Sequence, residues 1–106
     1  MLNFTIVAYI HYTQMKIIEW FYKPRGFCPI QSEGRFMDNY FFFESRGDVA
    51  RISFSPNYYG KDPENSIDIV LKKFKNGEAS WISHEYSELL IRLGFLLFNK
   101  EKYSKS

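Results

Sequence analysis

Cys28-Pro-Ile-Gln-Ser-Glu-Gly-Arg-Phe-Met-Asp-Asn-Tyr-Phe-Phe-Phe-Glu-Ser-Arg-Gly-Asp-Val-Ala-Arg-Ile-Ser-Phe-Ser55 reads as three antiparallel strands joined by two tight turns. Asp38-Asn39 and Gly47-Asp48 tolerate the positive φ angles of two-residue hairpin turns, and both sit between runs rich in aromatic and β-branched residues. Counting outward from Asp38-Asn39 predicts Met37 opposite Tyr40, Phe36 opposite Phe41, Arg35 opposite Phe42, Gly34 opposite Phe43 and Glu33 opposite Glu44. Counting from Gly47-Asp48 predicts Arg46 opposite Val49, Glu44 opposite Arg51, Phe43 opposite Ile52 and Phe41 opposite Phe54.

Because side chains alternate across a strand, these counts sort the residues onto two faces. Ile30, Phe36, Phe41, Phe43, Ile52 and Phe54 form the core face, with Gly34 leaving a slot there for an aromatic ring. Gln31, Glu33, Arg35, Phe42, Glu44, Arg46, Arg51 and Ser53 form the other face, with Glu33, Glu44 and Arg51 expected in one row across three strands. Interleaved charge of this kind suits either a solvated sheet face or a polar recognition surface.

At 106 residues the chain is long enough for one core and is read as a single domain, residues 1–106. Aromatics make up 20% of it, which favours sheet over helix. Fourteen basic and 12 acidic residues, net charge +2, are scattered rather than gathered in the basic stripe of most nucleic-acid binders. Cys28 is the only cysteine, so an intramolecular disulfide and a thiolate metal cluster are excluded, and a reducing, cytoplasmic setting is expected. The N-terminal residues lack a basic region and a small-residue cleavage site, and no apolar run reaches membrane-spanning length, so no membrane partner is expected.

On either side of the meander, residues 2–12 alternate at period two and residues 16–22 form a second β-like run, predicting a hairpin through Thr13-Gln14. Met15 offers an internal start as an alternative to Met1. Residues 56–65 are rich in turn formers and predict a long loop with Tyr58 and Tyr59 at its tip as contact residues. Residues 66–75 are read as a strand turning back at Asn76-Gly77, with Lys72 opposite Trp81 and Leu71 opposite Ile82; a helix is the alternative for this segment. Ser83 is placed as the N-cap of a helix running to about Phe98, with Tyr86, Leu89, Leu90, Leu93 and Leu97 as its apolar stripe. Its second half is apolar most of the way round, which means deep burial or a homodimer contact. Gly94, unfavourable inside a helix, marks a close approach by another element. Residues 99–106 read as a polar, frayed tail. The expected fold class is α+β: an antiparallel sheet with one C-terminal helix on its apolar face.

No phosphate loop, metal-ligand spacing or serine elbow is present, so no metal and no cofactor are expected. Cys28 with His84 or His11 would be needed for thiol catalysis, and Glu33 facing Glu44 for acid-base work or ligand binding. The binding residues singled out are Gln31, Glu33, Arg35, Glu44, Arg46, Arg51, Tyr58 and Tyr59.

The run Cys-Pro-Ile-Gln-Ser-Glu-Gly, then Tyr-Phe-Phe-Phe-Glu-Ser-Arg, then Ala-Ser-Trp-Ile-Ser-His-Glu before a helix resembles a group of small uncharacterised proteins common in phages and other mobile elements. That group favours Pro-Val-Gln-Ala-Glu-Gly and a basic residue where Glu44 stands, so Ile30, Ser32 and Glu44 depart from its pattern. The resemblance carries no activity. It implies a setting in which small non-enzymatic domains bind a host protein, as anti-CRISPR and other anti-defence inhibitors do. The function expected is therefore macromolecule binding by a non-enzyme, with a host or cognate protein as partner. The alternatives are a nucleic-acid-binding module, an immunity protein to a toxin, and a small enzyme or ligand binder using Glu33 and Glu44.

Overall fold

The computed structural model describes residues 18–57 and 65–104. The expected strand at 2–12, the turn at Thr13-Gln14, the alternative start at Met15, and Tyr58 and Tyr59 lie outside these residues. Strands β1 (Ile18–Arg25), β2 (Ile30–Phe36), β3 (Asn39–Arg46), β4 (Val49–Ser55) and β5 (Ile67–Lys73) form one antiparallel sheet in the order β1-β2-β3-β4-β5. A short 3₁₀ helix (Glu78–Trp81) and helix α1 (His84–Ser104) follow. The fold is α+β, as expected.

The alternation read from the sequence places the core. Ile30, Phe36, Phe41, Phe43, Ile52 and Phe54 are all at most 1% exposed. The β3–β4 register matches the count from Gly47-Asp48 at every predicted pair.

The β2–β3 register differs from expectation by two residues. The turn is Met37-Asp38, closed by Phe36 opposite Asn39, so Gly34 faces Phe41, Ser32 faces Phe43 and Ile30 faces Ser45. An even shift leaves every side chain on its expected face. Volume explains the choice: each of these core-face pairs joins a large residue to a small one, whereas the expected register would set Phe36 against Phe41 and Ser32 against Ser45. Filling the interior at native density favours the observed pairing. It also holds Met37 at φ +58, a left-handed conformation costing about 1–2 kcal/mol outside glycine. The buried serines are bonded, Ser32 Oγ to the Tyr22 carbonyl (2.8 Å) and Ser45 Oγ to the Ala79 carbonyl (2.6 Å).

The segment at 67–73 is a strand, but the chain does not return along it as a hairpin. Asn76 and Gly77 both have positive φ, and the residues that follow wind into the 3₁₀ helix. Backbone at the end of the sheet captures this turn. Asp48 accepts from the Phe74 amide through its carbonyl (2.7 Å) and from the Gly77 amide through Oδ1 (2.8 Å). The Ala79 amide donates to the Gly47 carbonyl (3.0 Å), and Ser80 Oγ accepts from the Gly47 amide (2.8 Å). Trp81 and Ile82 are therefore not strand partners of Lys72 and Leu71.

Ser83 caps α1 by accepting from the Tyr86 amide at 3.0 Å. The helix continues to Ser104, so residues 99–104, expected as tail, are helical. Its buried face is Ser87, Leu90, Ile91, Phe95 and Phe98, while Leu89, Leu93 and Leu97 of the expected stripe point outward. Phe95 lies flat on Phe36, with centroids 4.2 Å apart and planes 4° apart, and edge-on to Phe41 and Phe54. Burying one such ring contributes about 1.5–3 kcal/mol. A Cβ on Gly94 would sit 2.9 Å from Ile52 Cγ2 and 3.3 Å from Leu71 Cδ2, so the predicted close approach is that of the sheet.

Candidate binding surface

Every expected site residue within the described segments lies on or at the end of the sheet face opposite α1, but the rows differ from expectation. The two-residue shift puts Gln31 opposite Glu44, and Glu44 stays opposite Arg51. Gln31 Nε2 donates to Glu44 Oε2 at 3.2 Å. Glu33 lies opposite Phe42 rather than Glu44, so the facing carboxylate pair needed for acid-base chemistry is not formed. Arg35 lies between Glu19 and Tyr40, its guanidinium 5.4 Å from the Tyr40 ring centre and its buried Nε without a hydrogen-bond acceptor. Arg46 and Arg51 are exposed, while Arg35 and Glu44, expected to be exposed, are half-buried.

The structure thus gathers Gln31, Glu44, Arg46 and Arg51 toward the end of the sheet where the β3–β4 turn and the β1–β2 connection lie. Arg25 reaches the same end, opposite Gln31, with its guanidinium 3.7 Å from the Tyr22 ring centre. One row across the sheet here reads Arg25, Gln31, Glu44 and Arg51, so with Arg46 a single carboxylate stands among three arginines, a set that a partner surface carrying both signs complements better than a uniform polyanion.

The same end carries a feature the sequence reading missed. Gly26 (φ +78) and Cys28 (φ +55) turn the connection so that Phe27 projects outward, and Ser80 fixes it by accepting from the Cys28 amide at 3.2 Å. The Phe27 ring stacks on Trp81 (centroids 5.7 Å, planes 17° apart) and on His84 (4.8 Å, 22°). His84 Nε2 lies 2.9 Å from the Gly26 carbonyl. A carbonyl only accepts, so this nitrogen carries the proton and the ring is held in one orientation. Trp81 is 66% exposed and Phe27 50%. Two rings so open and yet held in a stack form an apolar patch without a core role.

The signal for this patch lay in two places in the sequence. An aromatic residue between turn formers, Arg-Gly-Phe-Cys-Pro, has no strand to bury it. Trp81 comes two residues before the Ser83 helix cap, on the segment expected to fold back as a strand with Trp81 opposite Lys72. A shallow open groove of about 180 Å³ lies beside the stack, lined by Lys23, Pro24, His84, Glu85 and Glu88. Lys23 Nζ and Arg92 share Glu88 at 3.5 and 3.6 Å.

The His84 ring is committed to Phe27 and Gly26, and Cys28 is exposed in the turn. Among the described residues no three His, Cys, Asp or Glu side chains group as metal ligands, and no helix is long and apolar enough to cross a membrane. The chain matches no protein-family model, no curated protein and no solved structure.

Proposed function

We propose that the protein acts by binding another protein through the end of the sheet that carries the Phe27–Trp81–His84 stack on the helix side and Gln31, Glu44, Arg46 and Arg51 on the opposite face. The observation that carries this reading is the exposed, stacked pair Phe27 and Trp81. Trp and Arg side chains dominate the binding energy of protein interfaces, and rings fixed before binding lose little entropy on docking. The charged residues at the same end, Glu44 among the arginines, supply orientation and reject wrong partners. The resemblance to mobile-element proteins supports a host protein as the partner, with inhibition of a defence component as the outcome.

Affinity capture by the wild-type protein, run beside Trp81→Ala and Arg46→Glu, tests this reading. The partner is a protein retained by the wild type and lost with both variants while their circular dichroism is unchanged. Equal capture by all three forms would overturn the assignment of this surface.

A second reading, a nucleic-acid-binding module, draws support from Arg25 stacked on Tyr22 and from the open Trp81 ring, since bases stack on such groups. Glu44 within the basic set argues against it, because a carboxylate there repels phosphate.

A further inference from the structure

The cations of this chain repeatedly settle on aromatic rings. Lys23 lies over Trp20, Arg25 over Tyr22, Arg35 over Tyr40 and Lys72 over Tyr86. Trp81 is the exception. An indole is the best of the side-chain rings for such a contact, yet this one is 66% exposed and, among the described residues, no lysine or arginine stands over it. Phe27 covers one side of the ring and is itself backed by His84, so the indole is held with its other side to solvent. The fold also sets an acid beside it. Glu78 and Trp81 are the first and last residues of one 3₁₀ helix, where side chains three apart eclipse, and burial of Ala79 and Ser80 between them turns both outward. Glu78 is exposed and, among the described residues, forms no ion pair, neither with Lys75 three residues earlier nor with any other base. The positive end of α1 close by is offset by the Ser83 cap and by Glu85 in the first turn.

We infer that Trp81 and Glu78 form the seat of an arginine presented by the protein partner, its guanidinium flat on the open side of the indole and its N–H fork on the Glu78 carboxylate. The inference rests on the reading of this end of the sheet as a protein interface and adds the chemistry of the partner's anchor. Charge selects the occupant. An acidic residue would meet Glu78 with like charge, and an apolar side chain would strip water from the carboxylate without replacing its hydrogen bonds. Arginine suits the seat better than lysine, because a planar guanidinium stacks on a ring and still donates two parallel bonds to a carboxylate, whereas an ammonium is a point charge without a flat face. The arginines of this end, Arg25, Arg46 and Arg51, stand on the opposite face of the sheet and leave the seat open. Because Phe27 and His84 already hold the indole, docking orders little that is not ordered before.

Selection of a displayed library of random peptides on the immobilised full chain, counter-selected on Trp81→Ala, tests the inference with no natural partner required. The expected result is arginine enriched among the Trp81-dependent binders. For a synthesised binder, Kd should rise about tenfold with Trp81→Ala and about threefold with Glu78→Gln, the circular dichroism of each variant being unchanged. Exchanging the charges reads the contact itself: the same peptide with glutamate in place of its arginine should bind Glu78→Arg more tightly than it binds the wild type. Trp81-dependent binders that carry an aromatic, aliphatic or acidic anchor in place of arginine overturn the inference and leave the surface assignment standing. Arginine peptides that Glu78→Arg holds as tightly as the wild type does remove Glu78 from the seat and overturn it as well. A library that yields no Trp81-dependent binder overturns the reading of this end as an interface, and the inference with it.

Discussion

Gly34 of β2 lies directly between Trp20 of β1 and Phe41 of β3, and the two rings meet edge-to-face at 5.6 Å. A Cβ at this position would stand 2.2 Å from the Glu19 carbonyl oxygen and 2.8 Å from the Phe41 ring. Since the first of these is backbone, no side-chain motion relieves it. Gly34→Ala is expected to destabilise the protein by about 2–3 kcal/mol, at the upper end for overpacking, read as a lower urea midpoint at constant slope. A loss under about 0.5 kcal/mol would mean that β1 does not press on β2 here.

Met37 is the counterpart of that packing. The β2–β3 register sets a large residue against a small one at each core-face pair, and the turn that joins the strands holds Met37 at φ +58. Replacing it with Asn, which enters the left-handed region more readily, should stabilise the fold by about 0.5–1 kcal/mol. Thermal or urea unfolding of Met37→Asn measures this, and a destabilised variant would show that the Met37 side chain contributes more than its backbone costs.

This turn also shows how far the sequence could be read. The face of every residue in the meander was legible, because alternation depends only on parity. The register was legible at Gly47-Asp48, whose turn residues and core volumes agree, and not at Asp38-Asn39, where they conflict and packing wins. The outer charges were legible as a set. Their rows were not, since a two-residue shift separates Glu33 from Glu44 without moving either to another face. The aromatic stack needed the 3₁₀ helix, which exists because Asp48, Gly47 and Ser45 hold its backbone, and no local pattern announces those long-range bonds. On α1, near-continuous apolar character hid which leucines face the sheet. Gly94 was the better guide, since its missing side chain marks where the helix lies against Ile52 and Leu71 of the sheet.

Phe43 is fully buried between Ser32 and Ile52 on the neighbouring strands. Phe43→Ala should cost about 3–5 kcal/mol, a large share of the stability of a domain this size. Equilibrium unfolding, or the loss of a cooperative transition, reports it, and a cost below about 1 kcal/mol would place the ring at the periphery.

Trp81 separates binding from stability. Its side chain is 66% exposed and touches the fold mainly through Phe27, so Trp81→Ala should lower stability by less than about 1.5 kcal/mol. The same change should weaken partner binding by about 2 kcal/mol or more, as truncating an interfacial anchor does. Calorimetric titration of the captured partner beside a melting curve reads both quantities. A variant that melts much earlier but binds normally would make the stack a structural brace.

The claim that the mixed-charge end of the sheet recognises protein rather than nucleic acid is tested most directly by fluorescence anisotropy of labelled DNA and RNA oligonucleotides titrated with wild type, Arg46→Glu and Glu44→Arg over a range of salt. Phosphate-directed binding weakens steeply with salt through counterion release, and an added cation strengthens it. The expected result is no saturable binding by the wild type at physiological salt, with both charge reversals instead weakening association with the captured protein partner. Nucleic-acid binding by the wild type at that salt, strengthened by Glu44→Arg, would contradict the protein-partner account.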